Sequence, residues 1–223
     1  MVKEMKEGLG VIMGKRGVRS LVVIMGVICF FIGFVQTLSG PMLLAVCDEK
    51  TVGILESVCA VGMLVGSLWI GIVGIRKNYA AILCAAGIAG GLCMASAGVT
   101  RNLFVTGTGI FLFFLSLPFL NTCADVLVRV SIPNELQGRA WGMISLLTQS
   151  GTVLAYVLCG VLADWVFEPM LAEGGLLSAS IGRVIGTGEG RGIGLMLILS
   201  GMGMALAVML AGRNKSVRSI KVS

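Results

Sequence analysis

Ser131-Ile-Pro-Asn-Glu-Leu-Gln-Gly-Arg139 is short, polar and turn-forming, and it separates two long apolar runs. Pro133 lacks the N–H that a helix ladder needs, and it biases Ile132 away from helical angles. Gly138 tolerates left-handed backbone angles. Glu135 and Arg139 are four apart and are spaced to pair across one helical turn. The stretch predicts a tight connector between two membrane helices.

Working outward, the composition fits that reading. Of the 223 residues, 57% are hydrophobic and 13% charged, where a soluble domain has about 25% charged residues. Apolar runs of about 20 residues recur, the length needed to cross hydrocarbon. The expected class is an all-α membrane protein with six spans. They run from about Ser20 to Val46, Val52 to Gly74, Ala80 to Val99, Leu103 to Val130, Trp141 to Val166 and Ile193 to Ala211. Pro41 is expected to kink or end span one, and Pro118 lies inside span four. The small-residue pattern Gly62-x-x-x-Gly66 in span two permits close approach of another helix.

Three segments flank these spans. Residues 1–18 read as an amphipathic surface helix, with Met5, Leu9, Ile12 and Met13 at helical spacing. The bundle occupies residues 19–211, including an external surface segment at about 168–192, where Leu171, Leu176, Leu177, Ile181 and Ile185 predict a surface helix and glycines turn the chain into span six. Residues 212–223 form a basic tail. Placing the N-terminus inside puts thirteen of the 17 Lys and Arg residues on the inner side, leaving Lys50, Arg101, Arg183 and Arg191 outside. Both termini are therefore expected in the cytoplasm of a cell-membrane protein.

Several chemistries are disfavoured. There is no histidine, which removes the commonest proton shuttle and metal ligand. The seven cysteines include no Cys-x-x-Cys and read as small apolar packing residues. No metal or other cofactor is expected, and no nucleophile–base pair marks an enzyme. The net charge of +6 is spread over short loops, unlike the clustered patch of a nucleic-acid binder. Gly186-x-Gly188-x-Gly190 imitates a phosphate cradle, but no strand precedes it and no Walker Lys-Ser/Thr follows, so a nucleotide is not expected.

Polar residues sit unevenly. Spans one, two, four and five carry Gln, Asn, Thr, Asp or Glu, whereas spans three and six carry almost none. Polar groups at membrane depth face a bundle interior or a water cavity. Glu56 reads either as a coupling carboxylate or as a solvated one. Asp125 and Arg129, four apart, are either a gating pair or mutual charge neutralisation. Gln149 is a substrate contact or an interhelical hydrogen bond. Asp164 is expected to cap or to form a local salt bridge.

With its flanks, the Pro133-x-Glu135-x-x-Gly138-Arg139 connector resembles that between the tenth and eleventh helices of the major facilitator superfamily, especially its multidrug and macrolide-efflux branch. The resemblance covers nearly the whole chain but half of such a transporter, helices seven to twelve. It implies a half-bundle whose third and sixth helices lie on the outside, facing lipid, with the other four towards a shared cavity. It also implies export of a small hydrophobic molecule by alternating access, driven by proton antiport, with an N-terminal six-helix half or a second copy as partner. Gln36, Asn121 and Gln149 are then the candidate cavity contacts, and Glu56, Asp125 and Arg129 the gating or coupling candidates. The family's loop motif is degenerate at Gly71-Ile-Val-Gly-Ile75-Arg76-Lys77, where Ile75 replaces the usual acid. The alternative is a non-transporting interaction subunit whose Gly62/Gly66 face is open to another helix.

Overall fold

The computed structural model describes residues 8–10, 12–75, 78–172, 174–188 and 190–213. The basic tail beyond Arg213, the Arg76-Lys77 loop and Met5 lie outside the described residues. Among the described residues, six helices are long and apolar enough to cross a membrane. They are α1 (Arg16–Leu44), α2 (Glu49–Val73), α3 (Tyr79–Val99), α4 (Leu103–Ser131), α5 (Asn134–Leu162) and α6 (Arg191–Gly212). No strand occurs among the described residues. In hydrocarbon a helix satisfies its own backbone, so apolar runs of this length adopt that form.

The helices pack in the order α2–α4–α3–α6–α1–α5, with a smaller α1–α4 contact joining the two arms. This order maps onto itself when α1, α2 and α3 are exchanged with α4, α5 and α6. Consecutive spans alternate in direction, so the two three-helix units are inverted copies in packing. Glycines set the close approaches. Along the central seam, a Cβ on Gly91 would lie 2.6 Å from Gly201 O, and one on Gly194 would lie 2.9 Å from Gly98 O. Seven residues separate the glycines on each helix, so two antiparallel backbones touch two turns apart.

Gly62 and Gly66 pack against the Phe111 and Leu115 carbonyls, at 2.9 and 2.7 Å from a built Cβ. The expected small-residue face is thus covered by α4, and it is not open to an outside helix. The reason is local: Phe111 and Leu115 recur at the same four-residue interval as the two glycines. In the other arm, Gly151 packs 2.8 Å from Gly26 O.

Burial is graded along the row. In α2 and α5, 17% and 28% of the apolar window is buried, against 39–50% in the other four helices. Spans three and six meet each other along the glycine seam, because their glycines admit a backbone where a side chain is excluded. Their opposite faces remain exposed and apolar, through Leu92, Leu199, Met202 and Leu206.

The connector is tighter than its sequence implied. Ile132 is extended (φ −118°, ψ 131°) and buried, and Pro133 caps α5. Asn134 to Arg139 then form the first turns of α5, so Gly138 is helical and uses no left-handed angle. Lys15 Nζ donates to Ser131 O at 2.9 Å, and Gln137 Nε2 donates to Asn134 Oδ1 at 2.9 Å and Arg129 O at 3.2 Å. The helical residues 12–14 precede Lys15, where α1 starts one residue later. Ile12 is buried, and a Cβ on Gly8 would sit 2.7 Å from Arg139 O, so this segment packs on the start of α5. Pro41 does not end α1, which continues to Leu44.

The expected surface helix before α6 is not continuous. α5 passes through a π-helical turn (Ala163–Phe167) into Glu168–Leu171, followed by turns and a second short helix, Gly182–Ile185. Leu171, Ile185 and Leu195 form a small cluster, whereas Leu176 is exposed. Gly186, Gly188 and Gly190 all have positive φ (91°, 104° and 77°), and they turn the chain into α6. An angle of that kind is cheap only without a Cβ.

Candidate functional site

The polar residues of α1, α2, α4 and α5 define the candidate face. Gln36 on α1 is exposed, and its Oε1 accepts a 2.8 Å hydrogen bond from the Tyr156 hydroxyl on α5. Nearby, the Thr152 hydroxyl donates to Cys29 O at 3.4 Å. Tyr156 was not singled out in the sequence. A phenol inside an apolar run is the signal, because its hydroxyl needs a partner when removed from water.

Gln149 lies two turns before Tyr156, on the same face of α5, and is exposed. Asn121 is exposed on α4. Among the described residues neither amide has a hydrogen-bond partner. Among the described residues an interhelical hydrogen bond therefore does not account for Gln149. Glu56 is exposed near the start of α2, and its carboxylate reaches α1: a Cβ on Gly40 would sit 3.9 Å from Oε1. Asp125 is half-buried on α4 and Arg129 is exposed one turn later, where it acts electrostatically on Asp125. Glu135 and Arg139 are exposed on the first turns of α5, at the end of the bundle near Arg129.

The structure thus brings Gln36 and Tyr156 together, aligns Gln149 with them, and carries Asn121 on a separate helix of the same set. Chemically the face offers amide and hydroxyl donors and acceptors on an apolar ground. No cluster of three or more metal-ligating side chains occurs among the described residues.

Asp164, expected to cap or to pair, is exposed in the π-helical turn. The capping carboxylate is Glu168, whose Oε1 accepts from Ile193 N in the first turn of α6 at 3.3 Å. The bend through the π turn carries the chain back to that helix start, and Gly192 leaves room for it, with a built Cβ only 2.5 Å from Phe167 C.

Compared with known proteins, the chain matches no protein-family model, no curated protein and no solved structure.

The hydrogen bond between Gln36 and Tyr156 is expected to contribute little. Tyr156→Phe should lower the stability of the bundle by about 0.6 kcal/mol, as for other interhelical hydrogen bonds in membranes. Denaturant unfolding followed by helical ellipticity checks this, and a loss of several kcal/mol would contradict the exposed geometry.

Proposed function

We propose that the chain is a six-helix half of a secondary active transporter of the major facilitator type. In this reading it exports a small hydrophobic molecule by alternating access, coupled to protons, across the cell membrane with both termini in the cytoplasm. The observation that carries the reading is the packing order. Two inverted three-helix units meet at a glycine seam, and the helices bearing the polar residues are left on the arms. Inverted repeats with a midplane site at the interface between bundles are the general build of such transporters. The unpartnered amides of Asn121 and Gln149 and the poorly covered α2 and α5 support a second six-helix bundle as the missing cover. Polar groups at membrane depth are retained where they face protein or a cavity.

Mechanistically, the chain's own residues would do three things. Gln36, Asn121 and Gln149 would offer hydrogen bonds to a substrate whose apolar surface lies against α1, α2 and α5. The Gly91–Gly201 seam would keep the bundle rigid, so that it rocks as one body against its partner. Asp125 or Glu56 would take up a proton when substrate leaves.

The test expresses the chain alone, and together with a six-helix unit encoded beside it, in a drug-sensitive host. The readout is cellular accumulation of a fluorescent hydrophobic cation. No efflux is expected from the chain alone, and efflux from the pair, with Gln149→Leu reducing it. Export by a purified monomer in lipid overturns the half-transporter reading. Absence of export from every pairing, the homodimer included, favours the non-transporting subunit.

A further inference from the structure

The chain between α5 and α6 does not rise off the end of the bundle. Leu171 and Ile185 pack on Leu195, with Phe167, Leu177 and Ile198 around them. Leu195 and Ile198 lie about one and two turns into α6. The Phe167 and Glu168 backbone crosses α6 at Gly192, and the short helix Gly182–Ile185 touches both α3 and α6. These residues form a collar beside the first turns of α6. α6 has 22 residues, about 33 Å of helix against a hydrocarbon thickness of about 30 Å. A collar at that height sits at the membrane boundary.

Its outward surface is apolar. Leu176 is 87% exposed, Val184 77% and Trp165 81%. Between Gly174 and Gly188 the only charged residue is Arg183. Charges gather instead at the two ends of the stretch: Asp164, Glu168 and Glu173 come before it, and Glu189 and Arg191 after it. Left in water, the three large apolar side chains would order solvent with nothing to offset the cost. Apolar residues outward with charges at the margins suit the boundary between headgroups and acyl chains.

Trp165 fixes the direction. Leu147, Leu154 and Val161 are exposed and recur every seven residues along α5. Trp165 follows Val161 by four, so it continues their line. Leu147 and Leu154 precede Gln149 and Tyr156 by two residues, which places them on the opposite side of the helix. A partner covering the polar face leaves this side to lipid. Trp141, near the start of α5, stands about 36 Å from Trp165 along the axis. The two indoles thus bracket the hydrocarbon, as aromatic belts do.

We propose that Trp165, Leu176 and Val184 insert into the headgroup–acyl boundary of the leaflet opposite the Pro133 connector. The partner of this surface is the bilayer. The inference stands whether or not the chain transports, because Trp165 faces away from Gln149.

The test uses the full chain in phosphatidylcholine vesicles, with tryptophan fluorescence as readout. Trp69→Phe with Trp141→Phe leaves Trp165 as the reporter. Adding Trp165→Phe allows a single indole at Leu176→Trp or Val184→Trp. Bromines high on the acyl chains probe the boundary, bromines near the chain ends probe the bilayer centre, and iodide probes water. Free N-acetyltryptophanamide sets the water-exposed reference. At positions 165, 176 and 184 the expected result is blue-shifted emission, quenching by the high bromines above that by the deep ones, and loss of the iodide quenching seen for the reference. Helical ellipticity checks folding. Both 176 and 184 are exposed, and if one variant does not fold the other decides. Iodide quenching at 176 or 184 equal to the reference, without quenching by bromines, overturns the proposal even where Trp165 is shielded. Stronger quenching by the deep bromines also overturns it, since the collar would then lie within hydrocarbon.

Discussion

Gly201→Leu is expected to abolish the folded bundle. A Cβ at this position would lie 2.6 Å from Ala95 N, a backbone atom that cannot swing aside. The seam between α3 and α6 joins the two three-helix units, so separating it opens the centre of the row and not an edge. Overpacking at a rigid site costs about 3 kcal/mol, and here the contact is backbone on backbone. Gly91→Leu should behave alike, since its Cβ would meet Gly201 O at 2.6 Å. Gly160→Leu is the control, because nothing lies within 4 Å of its Cβ. Size-exclusion and denaturant unfolding in detergent provide the readout. A Gly201→Leu protein with the native midpoint would refute the seam.

Gly66→Leu is expected to release α2 alone. Its Cβ would lie 2.7 Å from Leu115 O and 3.2 Å from Pro118 Cγ. α2 stands at one end of the row and is held chiefly by α4, so the other five helices keep their contacts. Native thiols report the difference. Cys59, on α2 itself, is buried against its neighbours at 3% exposure, while Cys123 on α4 and Cys159 on α5 are fully buried elsewhere. Labelling of Cys59 by a membrane-permeant thiol reagent should rise about tenfold, which needs local opening to become easier by only about 1.4 kcal/mol. Cys123 and Cys159 should stay protected. A Cys59 that remains protected in Gly66→Leu would show that α4 accommodates the larger side chain. Uniform exposure of all three would show that α2 is not an independent edge.

The amino-acid sequence by itself determined the six spans, because a run of about 20 apolar residues has one low-cost arrangement in hydrocarbon. It also determined the break at Pro133, where ring geometry and the missing N–H act locally, and the glycine turn into α6. Which helices carry polar groups was equally legible, so Gln36, Asn121 and Gln149 were candidates before any coordinates. Local rules reached no further. Gly62 and Gly66 read as a face for close approach of another helix, and only packing named α4, through Phe111 and Leu115, as that helix. Spans three and six read as facing lipid because they lack polar side chains; that they also meet each other along a glycine seam was not legible, since the absence of a side chain marks close approach without naming the partner. Asp164 looked like the capping acid, yet the π turn carried Glu168 to Ile193 N instead. Arg191 counted as one cation in an outer loop. Its burial against Gly98 and Val99 follows from how α3 and α6 meet. Those are contacts between residues about ninety positions apart, and only the tertiary structure decides them.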